Sequence, residues 1–201
     1  MKYATQICLS LALAMPLVVS AEASSLANSP LSRVSNRGAG NGAGDMKKLP
    51  ALAVTGQAQA QYLIGVRYQE GDGVVQDFSK AAIWYRKAAE QNYPNALYNL
   101  GHYYYNGKGV NRDFKAAKYW FEKAASAGND KAPGNLGVMY MIGEGVSRDR
   151  VGAFKWATIG IANGDRRAAE FRRDIAGHLT DNQISAGGVR ARLWFYRHAR
   201  K

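Results

Sequence analysis

The sequence predicts an all-α solenoid, and three observations predict it: a 36-residue period, apolar residues at helical spacing inside each period, and glycine pairs where the helices must turn. Ala60, Ala96 and Ala132 fall in one column, as do Gly65, Gly101 and Gly137, and Tyr68, Tyr104 and Tyr140. Six more columns follow at the same period: those beginning at Gly71, Gly73, Val74, Asp77, Ala81 and Trp84. All nine are identical in three copies without a gap. A period of ~20–50 residues marks stacked supersecondary units, none able to bury its apolar face alone. Nothing predicts a strand. The stretch from residue 50 onward, about 150 residues, is long enough for one domain with a core.

Taken in order, residues 1–21 read as a secretory signal peptide. Lys2 supplies the positive start, Ile7 to Val19 form an apolar run of 13, and Val19-Ser20-Ala21 is a small-residue cleavage site, with Ala21-Glu22-Ala23 an equally good one. Thirteen residues interrupted by Pro16 fall short of the ~20 that a membrane span needs. Cys8 is the only cysteine, so a chain cut after Ala21 would use no disulfide. Thr5-Gln6-Ile7 before Cys8 lacks the small residues of a lipoprotein site. Residues 22–50, with Gly38 to Gly44 at their centre, offer little to bury and predict a flexible linker. Its glycines follow no strand and open no βαβ unit, which excludes a nucleotide fingerprint. Leu49 to Val54 predicts a short apolar cap on the first repeat.

Residues 51–165 then hold three hairpins, at about 58–93, 94–129 and 130–165. In the second, Ala96, Leu100 and Tyr104 make the stripe of a first helix. Gly107 and Gly109 end it, and Asp113 caps a second helix carrying Ala117, Trp120, Phe121 and Ala124. Gly128 closes the unit, with Asn92 and Gly164 in the same place elsewhere. Gly65, Gly101 and Gly137 interrupt first helices, which predicts close approach of helices against the Trp84/Trp120/Trp156 column, itself expected in the core. Gly152 and Gly160 are expected to weaken the last second helix. Residues 166–201 predict a basic helical cap: a helix near Arg166 to His178, then a capping box at Thr180 and Gln183. The pair Gly187-Gly188 threatens the continuity of the final helix.

The repeat motif A-x3-[LI]-G-x2-Y-x2-G-x-G-V-x2-D-x3-A-x2-W resembles the Sel-one-like repeat family, relatives of the tetratricopeptide repeats. Leu100-Gly101, Tyr104, Gly107, Gly109-Val110, Asp113, Ala117, Trp120 and Lys123-Ala124-Ala125 carry the likeness. Leu179-Thr180, Gln183-Ile184 and Trp194 resemble the closing segment of such solenoids. The resemblance implies a right-handed α/α superhelix, an adaptor whose bacterial members are commonly exported and act through protein partners in envelope assembly, signalling control or host contact. Some relatives staple each repeat with a disulfide, and that cysteine-rich branch is linked with β-lactam binding and hydrolysis. This chain has neither the cysteines nor a serine motif for such chemistry.

Charge and motif content bound the function further. The formal net charge is +12, and residues 166–201 hold nine Lys/Arg against three acids. Arg190, Arg192, Arg197, Arg200 and Lys201, mixed with Trp194, Phe195 and Tyr196, suit an anionic membrane surface or a polysaccharide. The reading preferred on the sequence is that the aromatics cap the open core of repeat three while the arginines keep the exposed end soluble. Export makes nucleic acid a poor partner. No nucleophile signature, no zinc motif and no cofactor motif is present, so no enzyme, metal or cofactor is expected. A monomer that binds a protein segment is the expectation. At 100° per residue, the first-helix face opposite the packed stripe carries Tyr62, Tyr98, His102, Tyr105, Val138 and Met141, with Asn99 and Asn135 one column aside. Rigid tyrosines and adaptable methionine suit such a groove, and the asparagines match a peptide backbone.

Overall fold

The computed structural model describes residues 49–54 and 56–198. The expected signal peptide, most of the linker, and Arg200 and Lys201 lie outside the described residues. Nine helices and no strand occur among those described. They are α1 (Leu49–Val54), α2 (Ala58–Glu70), α3 (Phe78–Glu90), α4 (Pro94–Asn106), α5 (Phe114–Ser126), α6 (Ala132–Ile142), α7 (Arg150–Ala162), α8 (Ala168–Ala176) and α9 (Asp181–His198). The pairs α2–α3, α4–α5 and α6–α7 form three antiparallel hairpins, each packed on the next. Short α1 lies on α2, and both α8 and α9 pack on α7.

The repeated columns each have a mechanical reason. Gly71, Gly107 and Gly143 end the first helices at φ of 75°, 68° and 87°, the left-handed region that a side chain resists. Two positions on, Gly109 and Gly145 sit against the preceding repeat: a Cβ there would lie 2.3 Å from the Phe78 carbonyl and 2.4 Å from that of Phe114. These loops therefore seat on the start of the previous second helix. The tyrosine and aspartate columns close the loop together, since the Asp77, Asp113 and Asp149 N–H groups donate to the Tyr68, Tyr104 and Tyr140 carbonyls at 2.8–2.9 Å. The Asp77 carboxylate then accepts from the Lys80 N–H, and that of Asp113 from Lys115 and Ala116, at 2.9–3.0 Å.

Two expectations about the core need correcting. The glycine notches do not receive the tryptophan column. A Cβ at Gly65 would lie 2.6 Å from the Tyr85 ring, and one at Gly101 2.7 Å from Phe121, the residue after each tryptophan. Tyr85 and Phe121 are buried, whereas Trp84 and Trp120 are only half-buried; Trp156 alone of its column is fully enclosed. Burying such a ring contributes on the order of 2–3 kcal/mol. Repeat three has Ala157 where Tyr85 and Phe121 stand, and Phe171 of α8 fills the Gly137 notch instead, 2.6 Å from a built Cβ.

The glycines of the C-terminal region do not break its helices. Helix α7 runs unbroken, with Gly152 and Gly160 at close contacts to Tyr140 and Ala168. Helix α9 is continuous through Gly187-Gly188, because Gly187 lets the helix approach Phe154 to within 2.7 Å of a built Cβ. Its capping box forms as the sequence predicts: the Thr180 N–H donates to Gln183 Oε1 at 2.9 Å, and the Gln183 N–H to Thr180 Oγ1 at 3.4 Å.

Candidate binding site

The first-helix face divides into three patches. Toward the N-terminus, Gln69 Oε1 accepts from both the Tyr85 and Tyr103 hydroxyls at 3.0 Å. Tyr62 stacks obliquely on Tyr85 and Tyr93, with centroids 5.7 and 5.1 Å apart. Burial pushes Tyr62, Tyr85 and Tyr103 above the ordinary tyrosine range, while the neighbouring Asn99 amide works against the rise at Tyr62 and Tyr85. These phenols stay protonated and serve as donors. Tyr62 and Asn99 are thus engaged with their own framework.

The middle patch holds His102 and Tyr105. His102 is exposed, its Nδ1 is 2.8 Å from the Asn106 amide, and its ring is 6.1 Å from that of Tyr98. Desolvation, with Lys108 adding to it, holds its pKa below the ordinary histidine value. It is therefore neutral at neutral pH and no attractor of anions there. The Tyr105 ring meets Phe114 edge-on at 5.3 Å, and the adjacent Glu144 carboxylate pushes the Tyr105 hydroxyl up to about 12. Met141 is half-buried against the α7 core, and its carbonyl accepts from Arg148 Nε at 2.9 Å.

The third patch is a cavity of about 260 Å³ that brings Tyr98, Asn135 and Val138 together. Tyr98 reaches it from α4, Asn135 and Val138 from α6, and Phe171 closes it from α8. Lys131, Asp165 and Arg167 give it a charged rim. Val138 is 42% exposed, and Tyr98 rests on Phe121 at 5.8 Å. Gly134 opens the wall where a side chain would crowd Asp165, 3.0 Å from a built Cβ. The expected residues from two successive repeats thus meet here, joined by Phe171 and Arg167, which sequence reasoning left in the cap. Phe171 lies outside the 36-residue register, so the columns gave no sign of it.

The basic face is placed in part. Arg190 Nη1 donates to Asp149 Oδ2 at 2.7 Å, so it anchors α9 to the start of α7. Arg192 and Arg197 are exposed. Sequence reasoning missed a second recess of about 650 Å³ beside α9, whose walls include Tyr119, Lys123, Lys155, Trp156 and Trp194. Lysine beside the aromatic columns was its only signal. Among the described residues no cluster of His, Cys, Asp and Glu could hold a metal, and no helix is long and apolar enough to cross a membrane.

This geometry can be set beside known proteins. The family model for the Sel1 repeat matches residues 58–93, 94–129 and 135–165. The chain belongs to the Sel1 repeat family. A search of curated proteins returned no match. Among solved structures, a Sel1 repeat protein from Oxalobacter formigenes is 38% identical with a TM-score of 0.60, covering 65% of this chain and 98% of its own. A protective antigen displaying an SLR fold, c5321 of uropathogenic Escherichia coli, is also 38% identical, with a TM-score of 0.59 over 61% of this chain. This chain spans about a quarter, 26%, of that antigen's length. Helicobacter pylori cysteine rich protein B is 25% identical, with a TM-score of 0.50 over 65% of this chain and 98% of its own. Sel1 repeats are scaffolds, generally non-catalytic, and commonly protein-interaction modules.

Proposed function

We propose that this Sel1 repeat protein is an exported, monomeric scaffold that holds a segment of a partner protein on its first-helix face, in envelope function, signalling control or host interaction. The cavity shared by Tyr98, Asn135, Val138 and Phe171 carries the reading. It combines apolar walls with an asparagine amide and a charged rim, the make-up of a site that seats one side chain and fixes the backbone beside it. The protective antigen of uropathogenic Escherichia coli gives the host-contact reading its support, and Ile7 to Val19 gives export its own. A photoreactive phenylalanine analogue at Val138 tests the site in cells. The expected result is one dominant adduct that Tyr98→Ala abolishes at a temperature where the variant is still folded. Equal adducts from a control position on the far side, Ile83, would refute the site.

A second reading has an observation of its own. Val189, Leu193 and Tyr196 are 41%, 51% and 60% exposed along one stripe of α9, flanked by Arg192 and Arg197. An apolar stripe edged by arginines suits the surface of an anionic membrane. Leu193→Asp should then abolish co-sedimentation with phosphatidylglycerol vesicles; unchanged co-sedimentation would dismiss this reading.

A further inference from the structure

The recess beside α9 lies away from the first-helix face. Its walls come from the second helices α5 and α7 and from the last two turns of α9. Its volume, about 650 Å³, suits several residues of extended chain. A second hollow of about 300 Å³ shares Lys155, Trp194 and His198 with it and adds Arg190 and Arg197, so the two form one trough along α9.

We propose that this trough docks an acidic peptide segment of a partner protein. Its two lysines lie over aromatic rings rather than against carboxylates. Lys155 Nζ lies 3.9 Å from the centroid of the Trp156 ring, and Lys123 Nζ lies 5.2 Å from that of Tyr119. The acids on the trough are already engaged, Glu122 with Lys118 at 2.9 Å and Asp149 with Arg190 at 2.7 Å. Lys155, Lys123 and Arg197 have no carboxylate at ion-pair distance among the described residues. Burial holds Lys155 below the ordinary lysine range, and the attraction of Glu122 does not restore it. A bound carboxylate would satisfy that ammonium in a partly desolvated place, where a charged hydrogen bond counts for more than on open surface. Trp156, a wall residue only 1% exposed, has an indole N–H with no acceptor among the described residues.

The same arrangement argues against the other polyanions. His198 stacks on Trp194 at 4.3 Å, so this ring, like those of Tyr119 and Trp156, already carries a neighbour on a face. That leaves charge, not ring stacking, as the recognition chemistry, and a glycan site would want bare ring faces. A bilayer needs a flat display, and half-buried Lys155 is recessed.

The test uses the full chain and fluorescein-labelled hexaglutamate, read by fluorescence anisotropy at low and at physiological salt. Lys155→Met, which keeps the packed stem, and the more exposed Lys123→Met should each weaken binding about tenfold, as expected for loss of one charged hydrogen bond. Arg173→Met, the loss of one positive charge on exposed α8 surface outside the trough, should leave binding within about twofold, as should Tyr98→Ala, which separates this site from the first-helix face. Melting temperatures establish that each variant is folded, and Lys123→Met still decides the matter where Lys155→Met does not fold. The proposal is overturned by absence of peptide binding at low salt. It is equally overturned by equal losses in the Arg173 control, or by sulfated dextran or phosphatidylglycerol vesicles depending on Lys123 and Lys155 while the peptide does not.

Discussion

Repeats two and three carry the same glycine notch and fill it from different helices. At Gly101 the plug is Phe121, from the second helix of the same hairpin. At Gly137 it is Phe171, from α8, beyond the end of the repeat. The second hairpin therefore completes its own core, whereas the third is completed by the cap. A repeat counted by sequence identity is not always a unit that packs by itself, even in a solenoid whose stability is close to a sum of local terms.

The largest expected effect breaks this comparison at the plugs. Phe121→Ala should cost about 3–5 kcal/mol and lower the melting temperature of the whole array. Phe171 is half-buried, so Phe171→Ala should cost roughly half as much. Hydrogen exchange gives the sharper distinction: Phe171→Ala should lose protection in α6 and α7 while α4 and α5 keep theirs. Uniform loss across all four helices would mean that repeat three does not depend on the cap as a separate unit.

A smaller effect separates the two adjacent glycines of α9. Gly187→Ala drives a methyl into Phe154, which is 7% exposed and has little room to retreat. Net destabilisation of about 1 kcal/mol is expected once the gain in helix propensity is subtracted. At Gly188 nothing lies within 4 Å of the added methyl, so Gly188→Ala should stabilise by about 0.5–1 kcal/mol. Chemical denaturation of both variants that moved the midpoint in one direction would contradict this account of the helix.

The smallest effect compares the aspartate caps. Asp113 bonds two N–H groups, so Asp113→Ala should cost about 1 kcal/mol. Asp149 makes no such capping bond and pairs with Arg190 across half-exposed surface, which is worth less, about 0.5 kcal/mol. Burial works to raise the Asp149 pKa, but the Gly152 and Val151 N–H dipoles and Arg190 outweigh it and hold the carboxyl below its ordinary 3.8. Its contribution is thus present above about pH 4 and is lost as pH falls through the lower folded value. The melting-temperature gap between wild type and Asp149→Asn should close on acidification; a gap that widens would reverse the sign of this pairing.

Much of the fold was legible because the invariant columns answer backbone demands. Gly71 needs a left-handed φ, Gly109 a close approach, and Asp113 two free N–H groups, and each demand admits few residue types. The plugs were not legible in that way. Tyr85, Phe121 and Ala157 differ, because a notch accepts any ring that fits and even one from another helix, while the invariant Trp84 and Trp120 stay half-buried. Of the candidate groove, Tyr98, Asn135 and Val138 follow from helical geometry and do share a cavity. The engagement of Tyr62 and Asn99 with the Tyr85 network depends on inter-repeat packing, and no single period contains that information.

The plug from α8 also restricts how such an array changes length. Copying residues 94–129 inserts a hairpin that brings both its own glycine notch and its own phenylalanine, and its loop glycine seats on a backbone carbonyl that every copy presents. Adding a hairpin after residue 165 would part Gly137 from Phe171 and leave an empty pocket behind. An added hairpin that keeps every notch filled must therefore enter within the array and leave its end untouched.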